Sequence, residues 1–142
     1  MSPNGRASLQ KMLIRQEGLR LKPYRDSRGF ETIGYGHNLS ANGISASIAS
    51  EILLEDTLET IHQLNLKLPW YSELNEARQS ALISICFNLG INGLLEFHQT
   101  LDALKNNNWQ LAHNNVLLSE AAQQDKLRYQ EIATIFLTGE LT

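Results

Sequence analysis

Three polar residues near the start of the chain, Glu17, Asp26 and Thr32, have types and spacing that suit chemistry. Glu17 follows Leu13 by four residues and Ile14 by three, so it continues the inward edge of a helix that Gly18 would end. Burial against that edge and the negative end of the helix dipole would each raise a carboxyl pKa there. A carboxyl kept protonated near neutral pH is what a general acid requires. The same position also suits a plain surface glutamate beside a helix terminus. Asp26 opens Asp26-Ser27-Arg28-Gly29, a type I turn signature with Asp first and Gly fourth. A turn aspartate often only caps backbone amides, yet that polar setting also keeps it ionised. Thr32 is expected to share a strand face with Phe30, Gly34 and Gly36. Threonine there has a simple explanation in β-propensity, whereas the two glycines would let a bulky ligand approach the backbone. A protonated acid near an ionised carboxylate is the pattern on which glycoside hydrolysis runs. No one of these residues requires it.

The elements that must position these residues are partly visible. Ser8 is an expected N-cap for the first helix, with Leu9, Met12 and Leu13 at helical spacing. Leu21–Arg25 and Phe30–His37 read as the two arms of a hairpin, the only β-like region. After Asn42-Gly43 the chain is helical. A long helix is expected from a cap near Ser45 to about Leu64, with Leu54, Leu58 and Ile61 as its apolar stripe. A core helix should run from about Leu74 to Leu89, ended by Gly90, because Ala81–Phe87 is apolar nearly all round. Shorter helices are expected at Leu95–Lys105, Trp109–Leu118 and Asp125–Phe136. The class is therefore α+β, mostly α, in a single domain. It divides into a small hairpin lobe (about 9–44), a linking helix (about 45–66) and a helical lobe (about 67–142, plus the first helix), with a cleft expected between the lobes.

Composition narrows the function classes. The 142 residues include 12 basic and 15 acidic side chains, a formal net charge of -3, which argues against nucleic acid as the main partner. No run of about 18 apolar residues exists to span a membrane. The first residues lack the apolar core of a secretory signal, so synthesis in the cytoplasm is expected. Cys86 stands alone among apolar neighbours and reads as a buried hydrophobe. Four scattered histidines show no metal-ligand spacing, and no cofactor is expected.

Taken together, Glu17-Gly18, Tyr24, Asp26, Gly29 and Thr32-Ile33-Gly34-Tyr35-Gly36-His37 closely resemble the phage-type lysozymes, or endolysins. The resemblance implies that Glu17 is the acid and that Asp26 and Thr32 hold a water attacking the opposite face of the sugar. Net inversion would follow, which needs carboxyl groups roughly 6.5–9.5 Å apart. The resemblance extends to Phe87-Asn88-Leu89-Gly90, matching a segment that lines the far wall of the cleft. Thr100 and Asn115 match sugar-contacting positions, and Asn38 matches a lip position. Arg128 matches an arginine that pairs with the catalytic glutamate, a contact that would lower the Glu17 pKa and oppose burial. His37 and Asp56 match a buried His–carboxylate pair with a structural role. The implied partner is bacterial peptidoglycan. A separate holin is implied for access to the periplasmic wall, and the chain is expected to act as a monomer.

Two departures from the family pattern stand out. Ala121 and Ala122 fill a region where many relatives carry a tryptophan, which would loosen the C-terminal packing by a few kcal/mol if nothing compensates. The chain is acidic where many relatives are basic, so steering toward an anionic wall should be weaker. Rival readings are a non-catalytic wall-binding module, a lytic transglycosylase and a helical adaptor. Retention of Glu17 and Asp26 weighs against the first, the Asp26–Thr32 spacing against the second, and the Gly-rich hairpin against the third.

Overall fold

In the computed structural model, residues 1–141 are described, and they begin with a helix earlier than expected. Helix α1 covers Pro3–Glu17, not a span starting at Ser8. Ser2 caps it by accepting from the Gly5 amide at 3.0 Å, and Pro3 occupies the first turn, where a missing N–H costs nothing. Gly18 ends α1 as expected, with φ 72° and its N–H bonded to the Ile14 carbonyl at 3.0 Å.

Three antiparallel strands follow in sequential order: β1 (Arg20–Arg25), β2 (Glu31–Gly34) and β3 (His37–Asn38). The expected single return strand over 30–37 is therefore two strands. Gly34 and Gly36 both take positive φ, 71° and 77°, and the chain reverses through Tyr35-Gly36. Gly36 is thus not on the Thr32 face of β2. A single short turn of helix, α2 (Leu39–Asn42), comes next, capped by the Asn38 side chain.

The chain divides into two compact units, Met1–Ile52 and the residues from Leu53 onward, with the division falling inside helix α3 (Ala46–Lys67). Ser45 caps α3 as expected, accepting from the Ile48 amide. The apolar stripe read along it behaves unevenly. Leu54 and Leu58 are exposed, Ile61 packs against the core and Leu64 is fully buried. Only the last turns of α3 reach the core of their own unit.

That core belongs to the helical unit. Helix α4 (Glu76–Leu95) places Ala77, Ala81, Leu82, Ile85, Cys86 and Leu94 in it. The break read at Gly90 is present, with φ 75° and ψ 169°, but the chain resumes helical structure to Leu95. Helices α5 (His98–Lys105), α6 (Trp109–Leu117) and α8 (Lys126–Thr138) fall close to expectation. A further short helix, α7 (Glu120–Gln124), capped by Ser119, was not read from the sequence. Tyr71, Leu82, Leu104, Tyr129 and Phe136 are fully buried, each worth roughly 1.5–3 kcal/mol by burial of apolar area. Arg78 closes the end of α8: its guanidinium donates to the Phe136 and Leu137 carbonyls and lies 3.7 Å from the Trp109 ring. The N-terminal unit has one buried residue, Thr32, and is held by its ladders and caps instead.

Candidate active site

Glu17 is the last residue of α1, and the left-handed Gly18 turns the chain at once into β1. The burial expected for Glu17 is not found. It is exposed, and no residue of α1 is buried, Leu13 and Ile14 included. Its carboxyl lies beside the turn between β2 and β3. A Cβ built on Gly36 would lie 2.8 Å from Glu17 Oε2 and 3.0 Å from its Cδ. The glycine expected to admit a ligand therefore admits the glutamate side chain. At Gly34 no described residue beyond its chain neighbours would lie within 4 Å of such a Cβ.

Asp26 and Thr32 are tied to one another through the backbone of Phe30. Asp26 Oδ1 accepts from the amides of Arg28 and Phe30, both at 2.9 Å, and the Gly29 N–H donates to the Asp26 carbonyl at 3.0 Å. Thr32 Oγ1 donates to the Phe30 carbonyl at 3.0 Å. The turn thus locks the carboxylate through Oδ1 and leaves Oδ2 without a protein partner among the described residues. Thr32 also sits opposite Tyr24 on β1 and Asn38 on β3, forming one row across the sheet. The Asn38 Oδ1 is occupied in capping α2, where the Ala41 amide donates to it at 3.0 Å. His37 Nε2 contacts the Gly43 carbonyl, and His37 is exposed rather than buried. A free carboxylate oxygen beside a fixed turn can hold and orient a water, and an exposed carboxyl at a helix end can give or take a proton.

The other expected site residues lie in the helical unit. Phe87 is exposed on α4, and Asn88 beside it accepts from the Tyr129 hydroxyl at 2.8 Å through Oδ1. Tyr129 escaped the sequence reading, because helical periodicity marks it only as core. It is buried, stacks on Phe97 with centroids 6.5 Å apart, and burial pushes its pKa up. Arg128 holds Asp125 at 3.0 Å through Nε and donates to the Ser84 carbonyl at 3.1 Å. Asp56 is exposed on α3, not buried. Thr100 and Asn115 line a cavity of about 690 Å³ together with Phe97, Ser119 and Ala121. Ala121 thus borders open space. Among the described residues no group of His, Cys, Asp and Glu is placed to hold a metal.

The sequence profile of the phage lysozymes matches residues 14–129, which span Glu17, Asp26, Thr32 and Arg128. This chain belongs to the phage lysozyme family. Relatives of the lysozyme-family chain include an endolysin of Salmonella phage P22, 36% identical over 80% of this chain and 81% of that protein. A probable T4-type lysozyme of Dictyostelium discoideum is 25% identical over 95% of this chain and 96% of its own length. The pre-baseplate central spike protein Gp5 of Enterobacteria phage T4 is 30% identical over 97% of this chain. The lysozyme-family chain spans 29% of the length of that spike protein. No single helix among the described residues is long and apolar enough to cross a membrane.

Proposed function

We propose that this lysozyme-family chain is an endolysin-type glycoside hydrolase that cleaves the β-1,4 bond between N-acetylmuramic acid and N-acetylglucosamine in bacterial peptidoglycan. The observation that carries the reading is an exposed Glu17 set beside Gly36, together with an Asp26 whose Oδ1 is locked and whose Oδ2 has no partner among the described residues. Glu17 protonates the leaving glycosidic oxygen. Asp26 holds a water by its free oxygen and takes the proton that the water loses as it attacks the anomeric carbon from the other face. Thr32, whose hydroxyl donates to the Phe30 carbonyl of the same turn, positions that water with Asp26. The product is an inverted hemiacetal and a free hydroxyl on the leaving sugar. Phe87, Asn88, Thr100 and Asn115 are assigned to sugar contacts, and Arg128 to support of the site. The enzyme acts as a monomer on the periplasmic wall and depends on a separate holin for access from the cytoplasm.

Lysis of permeabilised Gram-negative cells by wild type and by Glu17→Gln tests this. The variant should keep its fold and lose turbidity clearance by at least about 10³-fold; activity within tenfold of wild type would remove Glu17 as the acid. The products should carry reducing ends, whereas anhydro sugars would assign the chain to transglycosylation.

A further inference from the structure

The net charge of -3 conceals a strong division. Met1–Ile52 carries seven cationic and four acidic side chains, whereas the residues from Leu53 onward carry five and eleven. The cations of the N-terminal unit all lie within its first 28 residues and all are exposed. Four of them, Arg20, Lys22, Arg25 and Arg28, fall on β1 and the turn after it, flanking Asp26. Among the described residues none of the four forms an ion pair, although Arg25 sits opposite Glu31 in the ladder. Two are held by aromatic rings instead: the Arg20 guanidinium lies 4.4 Å from the Tyr24 ring and that of Arg28 lies 5.3 Å from the Phe30 ring. Ring contact leaves the charge uncompensated and holds the long side chain in place. The helical unit treats its arginines otherwise: Arg128 is paired with Asp125, and Arg78 is spent on helix-end carbonyls.

β1 is also an edge strand, hydrogen-bonded among the described residues only to β2. Exposed cations on an edge can serve simply to block strand addition by another chain. That role needs charge on the strand but does not need Arg28 held in the turn beside Asp26. We infer that the β1 edge and its turn form a docking strip for the stem-peptide carboxylates of peptidoglycan, drawing the anionic polymer along the unit that carries Glu17, Asp26 and Thr32. This inference rests on the peptidoglycan reading above. It locates the attraction in one unit of an acidic chain, where the net charge alone suggests weak steering.

The test uses the full chain carrying Glu17→Gln, so that the polymer survives the measurement, and sacculi freed of lipid and protein. Binding is measured by co-sedimentation from ~20 mM to ~1 M salt. Adding Lys22→Gln, Arg25→Gln and Arg28→Gln should weaken binding about tenfold at low salt. The difference should vanish near 1 M, where the Debye length is about 3 Å. Lys105→Gln with Lys126→Gln in the helical unit should change binding less than about twofold. Sacculi whose carboxylates have been amidated should bind wild-type and triple-substituted chains alike. Parallel salt curves, equal loss from the helical-unit pair, or undiminished binding to amidated sacculi would overturn the proposal. Intact wall binding with new self-association would assign the cations to edge protection instead. Should Glu17→Gln still cleave the wall, the acid assignment fails on its own, and an intact, amidated pair of sacculi still reads the strip at 4 °C within minutes.

Discussion

The carboxyl of Glu17 rests against Gly36, so closely that a Cβ on that glycine would stand 2.8 Å from Oε2. The two residues are nineteen apart in sequence and lie at the ends of different elements, one closing α1 and the other turning β2 into β3. The contact makes the β2–β3 turn the wall against which the candidate acid is set.

Gly36→Ala should therefore move the acid. The residue has φ 77°, so an alanine costs roughly 1–2 kcal/mol in backbone strain and also pushes the carboxyl aside. Gly34→Ala is the matched control, because Gly34 has φ 71° and a Cβ there would meet no described residue within 4 Å beyond its chain neighbours. Both variants should lose similar thermal stability, while only Gly36→Ala should lose about 10²-fold in lysis rate. Equal activity losses would show that the contact does not position Glu17.

Asp26 combines a structural task with a chemical one, and two substitutions separate them. Asparagine keeps an oxygen for the Arg28 and Phe30 amides, so Asp26→Asn should unfold near the wild-type temperature yet lose most activity. Asp26→Ala removes the acceptor and should cost a further 1–2 kcal/mol or so in thermal unfolding. Wild-type lysis by Asp26→Asn would leave the carboxylate only its turn.

Alkaline stability should be limited by two buried acids in the helical core. Burial, with a smaller contribution from the neighbouring Cys86 charge, pushes the Tyr71 hydroxyl up to about 12, and burial pushes the Cys86 thiol up to about 11. Both pKa values are raised on folding, so the unfolded chain releases these protons first. Stability is then full below about pH 9 and falls as pH rises toward 12, by on the order of 2 kcal/mol per group. Tyr71→Phe also removes a buried hydroxyl that has no hydrogen-bond partner among the described residues. It should be neutral or stabilising at pH 7 in denaturant titrations and should flatten the alkaline decline. A loss above 1 kcal/mol or so at pH 7 would mean that the hydroxyl is satisfied in solution.

Much of this protein could be read from residue order. The turn at Asp26–Gly29, the stop at Gly18, the break at Gly90, the cap at Ser45 and, Phe87 apart, the core stretch Ala81–Phe87 are local matters. Each depends on φ preferences, a capping oxygen or a period of 3.6, which a few neighbouring residues decide. Glu17, Asp26 and Thr32 stood out for the same reason, by type and spacing along one short segment. Other features had no local trace. The start at Ser2 is the exception, a local signal passed over, since a serine before proline at the first helical position marks a helix start. The alternation over 30–37 gave no sign that Tyr35-Gly36 would reverse the strand. The exposure of Glu17, the Asn88–Tyr129 bond 41 residues apart and the approach of Gly36 to Glu17 depend on which distant segments come together. Residue types constrain which groups are able to do chemistry. Contacts between remote segments decide where those groups are held, because that free energy belongs to pairs of elements and to neither one alone.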